Sequence, residues 1–145
     1  MIYMKKYSQH IIHQFFGHRH NDQFLLMKQN NVTLGSGFIG GSFMPDNHDP
    51  TLRIYSYNGT HIDDYQQYRI NLQETIQTDQ IQLEHQYSFR KLYGTGPPTT
   101  QNLDRLYSNM TKNDPLFEKY CHQYTVRQKE MCEKKELLSR IIINM

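Results

Sequence analysis

An Asn-Gly dipeptide between two runs with strand character constrains the fold more than any other feature. The run LRIYSYN (52–58) alternates aliphatic and aromatic positions, as a strand with two different faces does. Asn58-Gly59 follows, and this pair favours the tight turn of an antiparallel hairpin. The run DYQQYRINL (64–72) alternates less clearly. Together, 52–72 predict a β-hairpin.

The segments before the hairpin also have strand character. IIHQFF (11–16) and QFLLMK (23–28) are short apolar runs that flank a polar turn. GSGFIGGSF (35–43) is apolar and rich in glycine, which is typical of a buried strand with a close backbone neighbour. The first half of the chain therefore predicts strands.

The second half has helical spacing. One helix is predicted from a Thr78 cap to Tyr93, with Gly94 at its end. A second has an apolar stripe at i, i+3, i+4 and i+7, and a third is capped by Asp114 before a proline. A last, weaker helix covers about 130–143. The stripe of the second helix consists of Leu103, Leu106, Tyr107 and Met110. The fold class is therefore α+β.

Composition excludes several classes of protein. The chain has 145 residues, enough for one ordinary domain, and a formal net charge of +2, too small to indicate a nucleic-acid binder. No run approaches the ~20 apolar residues of a transmembrane segment. The first residues, MIYMKKYSQHIIHQFF, lack the continuous apolar stretch of a signal peptide.

Three sequons point instead to the secretory pathway. Asn31, Asn58 and Asn109 each begin an N-x-S/T triplet, the acceptor of N-glycosylation. The two cysteines, Cys121 and Cys132, are too few for a disulfide framework. They could form one bridge, or be a buried thiol and a loose one.

A histidine turn, Gly17-His18-Arg19-His20, follows the first apolar run. In extended chain, residues i and i+2 point to the same side, so His18 and His20 could face one metal ion. Imidazole is a common ligand of zinc, but a zinc site needs three or four protein ligands. The alternative is a polar turn at the end of a strand.

The sequence around this turn resembles a known family. QFFGHRHNDQFLLM (14–27) is similar to the last metal motif, G-H-x-H, of the calcineurin-like metallophosphoesterases, and more narrowly to the acid sphingomyelinase and acid sphingomyelinase-like phosphodiesterase branch. Downstream, GFIGGSFMPDNHDPTLRIYSYNGT, YQQYRINL, YSFRKLYG and DPLFEKY resemble successive segments of that branch. The resemblance covers nearly the whole chain.

The resemblance implies a site and a function. His18 and His20 match the closing pair of ligands in a centre of two zinc ions. From its position beside them, Asp22 is expected either to support a ligand imidazole from outside the coordination sphere or to be a plain turn residue. The substrate would be sphingomyelin or a related phosphodiester, and peripheral contact with lipid is possible. The fold implied is the last strands of a metallophosphoesterase β-sandwich (1–76) followed by a small helical region (77–145). Resemblance and sequons together imply an extracellular or lysosomal location.

The resemblance also has gaps. The family's other ligands precede its closing pair, so we expect these 145 residues to be a carboxyl-terminal fragment that is inactive alone. Arg19 stands where the family usually has threonine, and the expected partners of Cys132 are replaced. One alternative is a non-catalytic binding or regulatory module, with contacts through Tyr107, Phe117, Tyr120 and Tyr124. Another is a stand-alone metal site that recruits Asp22, His48 or Asp49.

Overall fold

The computed structural model describes residues 6–44, 49–124 and 132–145. The strands are β1 (Gln14–Phe16), β2 (Gln23–Gln29), β3 (Val32–Ile39), β4 (Thr51–Asn58), β5 (His61–Ile70), β6 (Leu83–Ser88) and β7 (Ile142–Asn144). The helices are α1 (Leu72–Thr78), α2 (Phe89–Tyr93), α3 (Thr100–Lys112), α4 (Asp114–Tyr124) and α5 (Lys134–Ile141). The predicted α+β class is confirmed.

The predicted hairpin is present as β4 and β5. These strands pair antiparallel from Thr51 opposite Arg69 to Asn58 opposite His61. Gly59 adopts a φ of 62° in the connecting turn, a left-handed conformation that glycine tolerates at little cost. β6 pairs with the other side of β5, so these strands form a three-stranded sheet in the order β4-β5-β6.

The remaining strands form a sheet in the order β1-β3-β2-β7. β2 and β3 are an antiparallel pair, whereas β1 runs parallel to β3 and β7 runs parallel to β2. The predicted close backbone neighbour of the glycine-rich strand is confirmed at Gly37, where an added Cβ would lie 3.1 Å from the Gln14 carbonyl oxygen. On β1, at the edge of the described sheet, Phe15 and Phe16 are about half exposed.

The helix predicted from Thr78 to Tyr93 is wrong. Thr78 ends α1, whose amino terminus is capped by Asn71, and the chain then enters strand β6. Only the last five residues of the prediction are helical, as α2. Pairing of β6 with β5 satisfies the backbone of 83–88 and outweighs the local helix preference.

The other helices agree more closely with prediction. α3 buries Leu103, Leu106 and Met110 of the predicted stripe. The cap predicted at Asp114 is wrong, because the side chain of Asn113 accepts the hydrogen bond from the Leu116 amide. The last helix is α5, and the first residues of its predicted range lie outside the described residues. Its end continues into β7.

One core lies between the sheets and the helices. It includes Phe24, Leu26 and Phe38 from the four-stranded sheet and Ile62, Tyr65 and Tyr87 from the other. The helices contribute the remaining large side chains, which are Phe89, Leu103, Leu106, Met110, Phe117, Tyr120, Tyr124, Leu137, Leu138 and Ile141. The aromatic contacts suggested for a binding module are therefore wrong at Phe117, Tyr120 and Tyr124, which are buried.

A capping residue gives a small, local test of this packing. The Thr99 hydroxyl oxygen accepts a hydrogen bond from the Asn102 amide and so caps α3. We expect Thr99→Ala to lower the free energy of unfolding by about 1 kcal/mol. Urea unfolding would measure this loss. Thr111→Ala, near the other end of the same helix, controls for the loss of a threonine, and equal losses in both variants would contradict the assigned cap.

Candidate functional site

The histidine turn lies in the loop between β1 and β2. Its conformation is not the extended one that the sequence predicts, because His18 has a φ of 80° and His20 a φ of 59°. Both values lie in the left-handed region, which costs a non-glycine residue roughly 1–2 kcal/mol. His18 and Arg19 are exposed, whereas His20 is partly buried. The argument from strand alternation therefore does not hold here.

The described residues supply only part of a metal site. Across 6–44, 49–124 and 132–145, no three histidine, cysteine or acidic side chains are grouped so that they could hold a metal ion. Asp49 pairs with Arg69 at 2.9 Å, and His48 lies outside the described residues. His18 and His20 have the donor chemistry that zinc prefers, but a zinc site needs further ligands.

Asp22 ends the histidine loop and lies at the centre of a buried polar network. Its residue surface is only 6% exposed. The Arg53 guanidinium donates to one carboxylate oxygen and the Tyr87 hydroxyl donates to the other. Direct support of a ligand imidazole by Asp22 stays a prediction, since the structure shows the carboxylate engaged by these two residues.

Arg53 is as enclosed as its partner. Its side chain is 4% exposed, its Nε donates to Gln67 Oε1 at 2.7 Å, and its guanidinium carbon lies 4.1 Å from the centre of the Tyr65 ring. Burial lowers the pKa of this guanidinium and the charge of Asp22 raises it, with a net rise. The pKa of Tyr87 is raised, first by burial and then by Asp22. At neutral pH the Arg53 guanidinium is therefore charged and the Tyr87 phenol is neutral.

The sequence analysis did not identify Arg53 or Tyr87. The sequence does contain an indication that Arg53 is paired, because it is a cation between Leu52 and Ile54 in an otherwise uncharged strand. Charged residues are rarely fully buried unless they are paired, but the sequence does not show which carboxylate is the partner.

The sequon asparagines and the two cysteines are the residues that bear on the cellular compartment. Asn31, Asn58 and Asn109 are exposed, the first in a hairpin turn, the second at the end of β4 and the third on α3. Cys121 and Cys132 form a disulfide, which resolves the alternatives that the sequence left open. Disulfides persist mainly in oxidising compartments.

His13 is a second feature that the sequence did not distinguish. Both of its ring nitrogens are buried without a hydrogen-bond partner among the described residues, and its ring lies 5.5 Å from that of Phe38. Burial, and then the charge of His61, lower the pKa of His13 below its ordinary 6.5. The fold therefore favours the neutral ring.

That lowered pKa predicts a loss of stability in acid. Below pH 6.5 the unfolded chain binds a proton that the folded chain resists, so the contribution of His13 falls as pH decreases. We expect His13→Leu to lose less stability than the wild type from about pH 7.5 to about pH 5. Urea unfolding at each pH is the measurement. The exposed His122→Leu should keep the wild-type dependence, and an unchanged slope in His13→Leu would contradict the prediction.

Comparison with known proteins confirms the resemblance. No family model matches the chain. Sphingomyelin phosphodiesterase A of Dictyostelium discoideum is 28% identical over 136 residues, which cover 89% of this chain and 23% of that protein. Cyclic GMP-AMP phosphodiesterase SMPDL3A is 27% identical in mouse and 26% in rat, each over 84% of this chain and 30% of the relative.

These matches define the relationship and its extent. The chain is similar to sphingomyelin and cyclic GMP-AMP phosphodiesterases over most of its own length. It spans between 23% and 30% of the length of these curated relatives. In the part of the chain that the structure describes, no helix combines the length and apolar character that crossing a membrane requires.

Proposed function

We propose that this chain is part of a zinc-dependent phosphodiesterase in which His18 and His20 supply two imidazole ligands to the metal centre. The similarity to phosphodiesterases over 84–89% of the chain carries this proposal. The histidine pair lies within the motif that resembles the family's closing ligands. A zinc centre would activate water and polarise the phosphoryl group of the substrate.

The donors fit zinc in kind but not in number. Two imidazoles on an exposed or half-exposed loop can reach a metal ion, but no third donor is grouped with them among the described residues. We propose that the remaining ligands come from residues outside the part of the chain that the structure describes. The isolated chain would then be inactive, because it would not position both the water and the phosphodiester.

The substrate class follows from the relatives by analogy. One relative is named for sphingomyelin and others for cyclic GMP-AMP, and both compounds contain a phosphodiester. We propose a phosphodiester substrate, with sphingomyelin as the first to test. Three exposed sequon asparagines and the disulfide support an extracellular or lysosomal location.

Zinc titration of the 145-residue chain tests the metal assignment. Because only part of the ligand set is present, we expect calorimetry to detect weak zinc binding by the wild type and none in the double variant His18→Ala with His20→Ala. The matched control is His10→Ala with His122→Ala, which removes two exposed imidazoles elsewhere. Equal binding by the two double variants would contradict the assignment.

A hydrolysis assay tests the proposed division of the active site. The isolated chain, supplied with zinc, is expected to release no phosphocholine from sphingomyelin. Zinc-dependent release that disappears in the His18 and His20 variant would show that the 145-residue chain suffices for catalysis and that these two residues are required. That result would overturn the proposed need for outside ligands.

A further inference from the structure

We infer that Arg53 and Tyr87 are positioning residues for the zinc ligands, acting through Asp22. This inference rests on the proposed function, since it concerns the support of the His18 and His20 loop. Neither residue lies in the loop itself. Both belong to the three-stranded sheet, whereas Asp22 leads into β2 of the other sheet.

The loop needs support because of its backbone conformation. His18 and His20 both have positive φ values, at 80° and 59°. Non-glycine residues keep such a conformation only where their surroundings determine it. Asp22 is two residues after His20, and its contacts reach the second sheet. A fixed Asp22 therefore fixes the exit of the loop.

The hydrogen bonds to Asp22 fix the orientation of its carboxylate. Each carboxylate oxygen has a different donor, with Arg53 from β4 on Oδ1 and Tyr87 from β6 on Oδ2. Two donors on separate strands determine the orientation of the carboxylate plane as well as its position. Arg53 is itself held by Gln67, which is 1% exposed, and by the face of the Tyr65 ring.

Burial strengthens the ion pair between Arg53 and Asp22. The side chains of Arg53 and Asp22 are 4% and 7% exposed, so little water competes for their charges. Moving Asp22 would leave the guanidinium buried without its partner, which carries a large penalty. The start of β2 and the preceding histidine loop are consequently tied to the second sheet by an interaction that is costly to break.

A pair of tyrosine variants separates positioning from general packing. Tyr87→Phe removes the hydroxyl that donates to Asp22 and preserves the ring. Tyr120→Phe is the matched control, because Tyr120 is also buried and its hydroxyl has no hydrogen-bond partner among the described residues. Both variants keep nearly the same volume, so both should fold, and urea unfolding verifies this before zinc is added.

The readout is zinc affinity, measured by calorimetry with zinc alone. Residues that orient ligands from outside the coordination sphere typically change metal affinity by about 10–100-fold. We expect Tyr87→Phe to weaken zinc binding by about tenfold and Tyr120→Phe to leave it unchanged. Arg53→Lys, which keeps the charge but loses the planar fork, should also weaken it. Equal zinc affinity in Tyr87→Phe and wild type would overturn the inference and leave the proposed function standing.

A metal-free measurement distinguishes failure of the inference from failure of the proposed function. If wild type binds no zinc, the proposed metal assignment fails, and NMR order parameters of residues 17–21 then decide the inference. Lower order parameters in Tyr87→Phe, with wild-type values in Tyr120→Phe, would support the positioning role. Unchanged order parameters in both variants would overturn it.

Discussion

Replacing Arg53 with methionine is expected to lower the free energy of unfolding by about 3–5 kcal/mol. Methionine fills much of the volume but leaves the Asp22 carboxylate buried without its cation. Tyr87 would remain as a neutral donor, which stabilises a buried charge less well than a guanidinium does. Urea unfolding followed by circular dichroism gives the free energy directly.

A control and a second variant make that expectation specific. Arg90 forms an ion pair with Asp63 in which the two side chains are 45% and 39% exposed. Because exposed pairs contribute about 0–1 kcal/mol, Arg90→Met should change stability little. Adding Asp22→Asn to Arg53→Met removes the buried charge, so it should recover part of the loss. Similar losses in Arg90→Met and Arg53→Met would refute this account of the buried pair.

Removing the disulfide is expected to have the next largest effect. The bridge joins residues 11 apart in sequence and lies against the core through the partly buried Cys121 and Cys132. Closing a loop of this length restricts the unfolded chain by about 3 kcal/mol in the chain-entropy model. We expect Cys121→Ser with Cys132→Ser to lose about that much stability.

Reduction of the wild type provides the comparison for the serine variant. Unfolding in urea with a reducing agent should shift the wild type towards the midpoint of the variant, and the reductant should leave the variant unaffected. A stability loss in the variant without any response of the wild type to reduction would point to packing of the sulfur atoms instead of the covalent link.

Local sequence patterns predicted those elements whose neighbours along the chain are also their partners in space. The β4–β5 hairpin depends on Asn58-Gly59 and on alternation within one segment, so 52–72 was sufficient. The stripe of α3 likewise lies within one helix. The segment 83–88 was misassigned, because its strand conformation depends on pairing with residues 66–70 and not on its own preference.

In the candidate site, too, the sequence revealed residues that are close along the chain and missed contacts between distant ones. The histidine pair was identified because both ligands lie in one tetrapeptide. Its left-handed backbone was not foreseen, because polar turn residues permit several conformations and the surroundings select one. The Asp22, Arg53 and Tyr87 network joins three positions that are distant in sequence. A single sequence gives no sign of which buried charges meet, so only the structure could reveal it.

The pairing of β7 with β2 affects how the chain can be made. Ile142 lies opposite Leu26, more than a hundred residues away in sequence. During synthesis from the amino terminus, β2 therefore emerges from the ribosome long before its neighbour on that side exists. Until then its backbone groups on that side must be satisfied by water or by a chaperone, and the four-stranded sheet can be completed only late in translation.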